Sequence, residues 1–183
     1  MSLTLNEVVD LLQRRGHQQY GMEAISQLEH ALQCADMAEQ AGETPETIVA
    51  ALLHDLGHLL AAERDGQVEH DTSKDDLHQY MALPFLRTLF PDAVLEPIRL
   101  HVDAKRYLCL VDSGYWAELS PASKHSLEQQ GGVFSEQEAQ VFMQQNFAAE
   151  AVRLRRYDDL AKVPAKLVPD LSHYAAHLHQ VVL

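Results

Sequence analysis

The sequence is poor in basic residues and in cysteines. Of its 183 residues, 14 are Lys or Arg and 27 are Asp or Glu, which gives a formal net charge of -13. Nucleic-acid backbones and anionic membrane surfaces are bound through basic surfaces, so this balance argues against both as partners. The two cysteines, Cys34 and Cys109, form no CxxC pair. A thiolate zinc site is therefore not expected, and both residues are predicted to be reduced thiols in the core.

Long hydrophobic runs and strand-like alternation are also absent. No apolar run approaches the roughly 20 residues that a helix needs to cross a membrane. The start of the chain, MSLTLNEVVDLLQRR, lacks the apolar stretch of a signal peptide, so we expect a cytoplasmic protein. No repeat or low-complexity linker divides the chain. With a hydrophobic fraction of 46%, residues 1–183 are predicted to form a single all-α domain, a helical bundle.

Apolar residues recur at helical spacing in most segments, and caps, prolines and glycines mark the expected ends of the helices. The third helix starts at Thr44 and Pro45 and is expected to continue unbroken through ALLHDLGHLL, residues 51–60. Pro84 is expected to kink or shorten a later helix. The predicted helices lie at 3–15, 25–41, 44–60, from 72 or 73 to beyond 86, 91–110, 120–130, 135–158 and 172–182.

The segment ALLHDLGHLL places His54, Asp55 and His58 inside an otherwise apolar run. Ionisable groups are rare in a core unless they are paired or bind a metal. On a helix, residues i and i+4 share a face and residue i+1 lies about 100° away. His54 and Asp55 can therefore bind one metal only if it lies between their two directions, and a buried His–Asp ion pair is the alternative. Imidazole and carboxylate ligands suit iron, manganese or zinc.

Further potential ligands lie on other predicted helices. His30 precedes the HD pair by one helix, His78 and His101 lie on the next two, and Asp158 lies near the end of the long late helix. In a bundle, each of these helices can turn its residue towards the same centre. Their number favours a metal centre over an isolated ion pair.

The whole pattern resembles the HD-domain superfamily, and within it the branch of mixed-valent diiron oxygenases that cleave phosphonates. The blocks that carry the resemblance are YGMEAISQLEHALQCA, AALLHDLGH, HVDAKRYL, SPASKHSLEQQGG and LRRYDDLAKVP. The resemblance implies two iron ions, Fe(II) and Fe(III), with O2 as co-substrate. One iron would be bound by His30, His54, Asp55 and Asp158, and the other by His78, His101 and the far oxygen of Asp55. His70 competes with His78, which we prefer because the family places an arginine nine residues on, where Arg87 stands.

Cations lie next to these predicted ligands. Lys105 follows His101 by four residues and Arg155 precedes Asp158 by three, so each shares a helix face with a ligand. Ser123 lies in the first turn of a predicted helix, where free N–H groups favour an anion. Together they predict a site for a phosphoryl or phosphonate group. For either cation alone, a solvated surface position is the alternative.

The resemblance assigns three more residues to the substrate. Tyr20 would bind iron and move aside for the substrate, Glu23 would accept the substrate's ammonium group, and His58 would hydrogen-bond to the bound substrate. Taken without the resemblance, Tyr20 is a packing aromatic, Glu23 a surface acid and His58 a packing histidine. His58 and Lys105 are the residues expected to act in catalysis. Asp103, between His101 and Lys105, is expected to add a charge near the site, where the resemblance implies a smaller residue, and so to bear on the fine specificity.

The resemblance therefore implies an oxygenase that converts 2-amino-1-hydroxyethylphosphonate, a small-molecule phosphonate, into glycine and phosphate. Its trimethylammonio analogue would favour an aromatic cage, for which Tyr20 and Tyr107 are available. The same residues would also suit a metal-dependent phosphohydrolase, which needs water instead of O2, or a non-catalytic HD domain that senses a ligand. His173, His177 and His179 form a separate group that is predicted to be solvated, because no third ligand lies near them in the sequence.

Overall fold

The computed structural model describes residues 3–64 and 77–183, and every regular element in these ranges is a helix. In chain order the helices are α1 (Leu5–Arg15), α2 (Gln27–Gln40), α3 (Pro45–Leu53), α4 (Leu56–Arg64), α5 (His78–Met81), α6 (Leu83–Leu86), α7 (Asp92–Val111), α8 (Tyr115–Glu118), α9 (Pro121–Gln129), α10 (Glu136–Met143), α11 (Ala148–Leu160) and α12 (Leu171–Val181). The predicted all-α fold is confirmed. Among the described helices, none has the length and apolarity that a bilayer crossing requires.

Side-chain caps start several helices where the sequence predicts them. Thr44 accepts a hydrogen bond from the N–H of Thr47, and Pro45 is the first residue of α3. Ser120 caps α9 in the same way. Ser135 and Glu138 form a capping box at the start of α10. These caps satisfy N–H groups that have no partner inside the helix, so the helix starts are fixed by local sequence.

The predicted helix over 44–60 is wrong in its middle. α3 ends at Leu53 and α4 begins at Leu56, so His54 and Asp55 lie at a break between two helices. The carbonyl of Asp55 accepts a hydrogen bond from the N–H of His58, 3.0 Å away, which closes a tight turn at this point. His54 itself keeps helical backbone angles, φ -58° and ψ -34°, so the helix is interrupted only after it.

The predicted helix over 135–158 also divides, into α10 and α11. Phe147, which precedes α11, adopts a left-handed backbone with φ 64°. A non-glycine residue in this region cannot continue a right-handed helix, so the chain changes direction there. α8 was not predicted. The proposed caps Thr72 and Ser73 lie outside the described residues, as does His70.

The core is built from small and branched apolar side chains. α2 and α3 pack against each other, and the core cluster to which they contribute includes fully buried alanines such as Ala35 and Ala51. Small side chains let two helix backbones come close, and this places the ligand-bearing parts of α2 and α3 side by side. Both cysteines are free thiols, as predicted, but only Cys34 is buried in the core, whereas Cys109 is half-buried.

Candidate metal centre and active site

Six ionisable side chains from separate parts of the fold meet in the centre of the bundle. α2, α5, α7 and α11 each contribute one residue, and the break between α3 and α4 contributes two. All six are buried, with at most 7% of any residue exposed. The residues are the six metal ligands predicted from the sequence, namely His30, His54, Asp55, His78, His101 and Asp158.

The two carboxylate oxygens of Asp55 face two different pairs of histidines. Its Oδ2 lies 3.7 Å from Nε2 of His30 and 3.4 Å from Nε2 of His54. Its Oδ1 lies 3.3 Å from Nε2 of His78 and 3.7 Å from Nε2 of His101. Asp55 therefore stands between two separate sets of nitrogen donors, as a bridging carboxylate would.

Asp158 adds two oxygens to the first of these sets. Its Oδ1 lies 3.4 Å from Nε2 of His30, and its Oδ2 lies 3.8 Å from Nε2 of His54. Within the sets, the Nε2 atoms of His30 and His54 are 3.3 Å apart, and those of His78 and His101 are 3.1 Å apart. The donor atoms are thus grouped closely enough to share an ion.

The orientation of the histidine rings shows that this donor set fits a cation. Nδ1 of His30 donates to the carbonyl of Ala161, and Nδ1 of His101 donates to that of Ile98, at 2.8 and 2.7 Å. Because a carbonyl only accepts, the proton of a neutral ring is on Nδ1, and Nε2 presents a lone pair to the centre. Oδ2 of Asp55 is also buried and accepts no hydrogen bond within the described residues. Acceptors that face one another in this way are stabilised by a metal ion.

The carboxylates in the centre are held in their charged form. Burial opposes ionisation of Asp55, but His54 and the neighbouring imidazoles outweigh it and hold the pKa of this carboxyl well below its usual range. Burial also opposes ionisation of Asp158, but the charge of Arg155 and the neighbouring histidines outweigh it and hold the pKa of this carboxyl well below its usual range. Burial lowers the pKa of His54, but the same carboxylates raise it to about 9 in the metal-free protein. A proton and a metal ion therefore compete for Nε2 of His54.

A cavity of about 1010 Å³ opens over the centre. Its floor includes Asp55, His78, His101 and Asp158, whereas His30 and His54 lie behind them and are fully buried. The cavity is also lined by all six residues predicted to contact substrate, namely Tyr20, Glu23, His58, Lys105, Ser123 and Arg155. A small molecule in this cavity would therefore contact both the centre and the nearby cations.

Comparison with known proteins identifies the fold family. The family model described as the HD domain matches residues 28–129. The chain belongs to the HD-domain family. It is 46% identical over 170 residues to hydroxymethylphosphonate dioxygenase of Gimesia maris, an alignment that covers 93% of this chain and 84% of that protein.

A second relative places the chain more narrowly within the HD-domain family. The chain is 36% identical over 172 residues to 1-hydroxy-2-(trimethylamino)ethylphosphonate dioxygenase (glycine-betaine-forming) of Leisingera caerulea, with 94% of this chain and 87% of that protein aligned. Both relatives are dioxygenases. This HD-domain protein is thus an oxidoreductase of the same branch, and its membership implies a metal centre.

The end of the cavity where the sequence predicts an anion is lined by residues of α7 and α9. Lys105 is 2% exposed, and its Nζ donates to Oγ of Ser126 at 2.7 Å. Burial and the charge of Arg155 lower the pKa of Lys105 to about 7. Ser123 is the third residue of α9, but its N–H donates to Oγ of Ser120 at 3.2 Å and Pro121 has no N–H, so the start of this helix offers fewer free N–H groups than the sequence predicts.

Lys162 is a cavity residue that the sequence reasoning missed. Its Nζ donates to Oγ of Ser123 at 3.0 Å and lies 3.8 Å from Oε1 of Glu23. It follows Asp158 by four residues, the same spacing that pointed to Lys105 after His101. The spacing from Asp158 could therefore have indicated Lys162. The helical argument is incomplete here, because α11 ends at Leu160, two residues before the lysine.

Arg155 lies at the cavity but is largely engaged by other side chains. Its Nη1 lies 2.7 Å from Oδ2 of Asp158, and it also donates to Asp159 and to the hydroxyl of Tyr115. Tyr115 in turn donates to Asp159. This geometry differs from that of a cation held ready for substrate, because the guanidinium is oriented by acids and holds Asp158 in place.

Tyr20 and His58 stack on two of the central histidines. The ring of Tyr20 lies 3.9 Å from that of His30, at an interplanar angle of 13°, and its hydroxyl lies 3.5 Å from Oδ1 of Asp158. The ring of His58 stacks on His78 at 4.1 Å, with Nε2 3.9 Å from Oδ1 of Asp55. Both side chains therefore lie between the centre and the open cavity.

Two residues that were expected near the site lie elsewhere. Asp103 faces Arg106 at 3.6 Å, beside a separate shallow cleft that also contains Phe142. Tyr107 packs against Phe142, with the ring centroids 5.3 Å apart. Neither residue is among the described residues that line the cavity. The expectation that Asp103 adds charge to the site is wrong, because its side chain leaves α7 on a different face from His101.

Proposed function

We propose that this enzyme is an O2-dependent diiron dioxygenase that cleaves the C–P bond of 2-amino-1-hydroxyethylphosphonate and releases glycine and phosphate. The observation that carries the proposal is the position of Asp55, with one oxygen towards each histidine pair, on the floor of a cavity that contains Lys105 and Lys162. The two named relatives, both dioxygenases of hydroxylated phosphonates, support the class of reaction.

The proposed ligand sets follow the two sides of Asp55. His30, His54 and Asp158 would hold one iron together with Oδ2 of Asp55, and His78 and His101 would hold the other together with Oδ1. Imidazole and carboxylate donors suit iron in both of its common oxidation states. When bound, the metal pair would supply the redox chemistry with O2 and the Lewis acidity that lowers the pKa of the substrate's 1-hydroxyl.

The cations of the cavity would bind the phosphonate. Lys105 and Lys162 each donate to a serine of α9, at 2.7 and 3.0 Å, so the two ammonium groups and the start of that helix are held next to one another. A phosphonate can accept hydrogen bonds from both lysines and from the hydroxyl of Ser123. Arg155 acts mainly by holding Asp158, which revises its role from substrate ligand to positioning residue.

Glu23 would bind the amine at the other end of the substrate. Its Oε1 is buried at the cavity and accepts no hydrogen bond within the described residues, and Lys162 lies 3.8 Å from it. A primary ammonium supplies the N–H donors that this oxygen lacks, whereas a trimethylammonium group has none. His58 would hydrogen-bond to the bound substrate, and Tyr20 would cover the first metal position until substrate displaces it.

The proposed reaction balances without water. C1 of the substrate loses its hydrogen and its bond to phosphorus and becomes the carboxylate carbon of glycine. Phosphorus leaves as phosphate, and the hydrogen of C1 leaves as a proton after transfer of its electrons. O2 accepts four electrons in total, and its two atoms are divided between the carboxylate and the phosphate.

Turnover by iron-loaded protein tests this proposal. With 2-amino-1-hydroxyethylphosphonate in air, O2 uptake, glycine and phosphate should appear in equal amounts, and all three should be absent without O2. An equal phosphate yield under anaerobic conditions would overturn the oxygenase and favour the phosphohydrolase. Hydroxymethylphosphonate is the second candidate substrate because of the relative at 46% identity. If kcat/KM is higher for hydroxymethylphosphonate than for 2-amino-1-hydroxyethylphosphonate, the proposal that Glu23 binds the substrate's amine is wrong.

A further inference from the structure

A second group of side chains of metal-ligand type lies between α12, which packs against α3, and the last turn of α2. His173 and His177 are one turn apart on α12, and Glu39 lies in the last turn of α2. The sequence predicts these histidines to be solvated because no third ligand lies near them in the chain. His173 is exposed, as expected, and His177 is partly buried; the expectation is wrong only about the third ligand, because Glu39, which is distant in sequence, approaches both rings.

All three ligand atoms converge on one point. Nε2 of His173 lies 2.9 Å from Oε2 and 3.0 Å from Oε1 of Glu39. Nε2 of His177 lies 3.0 Å from Oε1 of the same carboxylate. One nitrogen from each ring and one oxygen from the carboxylate lie within 4.8 Å of one another. The i, i+4 spacing on α12 turns both rings to the same face and keeps them there.

The backbones that carry these ligands are fixed by the core. Tyr174, between the two histidines in sequence, is fully buried, and so is Leu178 directly after His177. The ring of His173 also packs edge-on against Tyr174, with the centroids 4.9 Å apart. A ligand set on two anchored helices loses little conformational freedom when it binds an ion.

We propose that Glu39, His173 and His177 form a second metal site for a divalent cation of the zinc type, separate from the centre under the cavity. Two imidazole nitrogens and one carboxylate oxygen form a common zinc ligand set, with water completing the tetrahedron. The group carries one negative charge when both rings are neutral, and the net charge of -13 further favours cation binding. A bound ion would clamp the last helix to α2, the helix that also carries His30.

Zinc titration of the iron-loaded enzyme tests the site. We expect the wild-type protein to take up one Zn²⁺ per chain against a chromophoric chelator, with no loss of iron. His173→Ala and His177→Ala should bind this ion at least about tenfold more weakly, because each removes one of three protein ligands. Glu39→Gln keeps the size of the side chain and should show the same loss.

His179→Ala is the matched control, since His179 is an exposed histidine on the same helix and is not part of the group. His179→Ala should bind zinc as the wild type does. Zn²⁺ should raise the Tm of the wild type and of His179→Ala, but not the Tm of His177→Ala. Iron content and circular dichroism verify that each variant is folded. Two results would show that the group is only a histidine–carboxylate ion pair. In the first, the wild-type protein takes up no zinc except by replacing iron. In the second, the Glu39, His173 and His177 variants all bind zinc as the wild type does.

Discussion

Gly57 lies directly against the backbone of His78. A Cβ at position 57 would lie 2.0 Å from the carbonyl oxygen of His78 and 2.7 Å from its carbonyl carbon. Both atoms belong to the main chain and cannot rotate away. α4 therefore approaches the start of α5 at a distance that only glycine permits, and this contact sets where the His78 ring enters the centre.

Gly57→Ala should displace His78 and weaken binding of the second metal. Loss of a ligand's support typically reduces metal affinity by roughly 10- to 100-fold, and overpacking costs about 1–3 kcal/mol in stability. Iron content per chain after equilibration with a chelator measures the first effect, and it should fall from two towards one. Gly114→Ala is the control, because the nearest atom to a Cβ there is a side-chain oxygen at 3.7 Å. Two irons in Gly57→Ala would contradict the account.

Asp55→Ala should prevent the binding of both metals, because each set of histidines loses its shared carboxylate oxygen. Asp55→Asn keeps the size of the side chain and one oxygen, so it should retain metal at one position at most. Metal analysis of the purified proteins, with iron supplied in excess, distinguishes the two variants. Retention of two irons in Asp55→Ala would show that Asp55 is not the bridge.

Loss of the proton of Lys105 should make kcat/KM fall at alkaline pH. Its pKa is lowered to about 7, so the ammonium is present below that pH and is lost as the pH rises through it. Because the charged form binds the phosphonate, kcat/KM should fall by about tenfold per pH unit above this value.

Two variants isolate this effect from the ionisation of the substrate. Lys105→Arg remains charged over the same range and should lack the alkaline limit that Lys105 causes. Lys105→Met should lose roughly 10- to 100-fold in kcat/KM at neutral pH, the usual range for a charged hydrogen bond. An unchanged alkaline limit in Lys105→Arg would assign it to another group.

Glu23→Gln should separate substrates with and without an amine. The change removes the negative charge opposite the ammonium, so KM for 2-amino-1-hydroxyethylphosphonate should rise by at least about tenfold. KM for hydroxymethylphosphonate, which has no amine, should stay within about twofold, because Glu23 has no partner on that substrate. Equal effects on both substrates would place Glu23 in a role other than amine binding.

The sequence predicts those parts of the structure that depend on local pattern. Capping residues such as Thr44 and Ser135 mark helix starts correctly because their hydrogen bonds are made within one turn of the chain. The meeting of His30 with Asp158 was expected from the family resemblance, since spacing alone does not bring α2 and α11 together.

The features that sequence reasoning missed depend on tertiary structure. The break at His54 and Asp55 falls inside a strongly apolar run that favours a continuous helix, and packing overrides that preference. Arg155 has the spacing of a substrate ligand, but Asp159 and Tyr115 engage it in the folded protein. Glu39 reaches His173 only because α12 returns to α2, a contact between residues that are 134 positions apart.

Isotope tracing of the two oxygen atoms of O2 tests the central claim most directly. Iron-loaded protein is allowed to turn over 2-amino-1-hydroxyethylphosphonate under ¹⁸O2, and the glycine and phosphate are analysed by mass spectrometry. The account predicts one ¹⁸O atom in the carboxylate of glycine and one in phosphate. Unlabelled products under ¹⁸O2, with label entering phosphate from H2¹⁸O instead, would contradict it and identify a hydrolase.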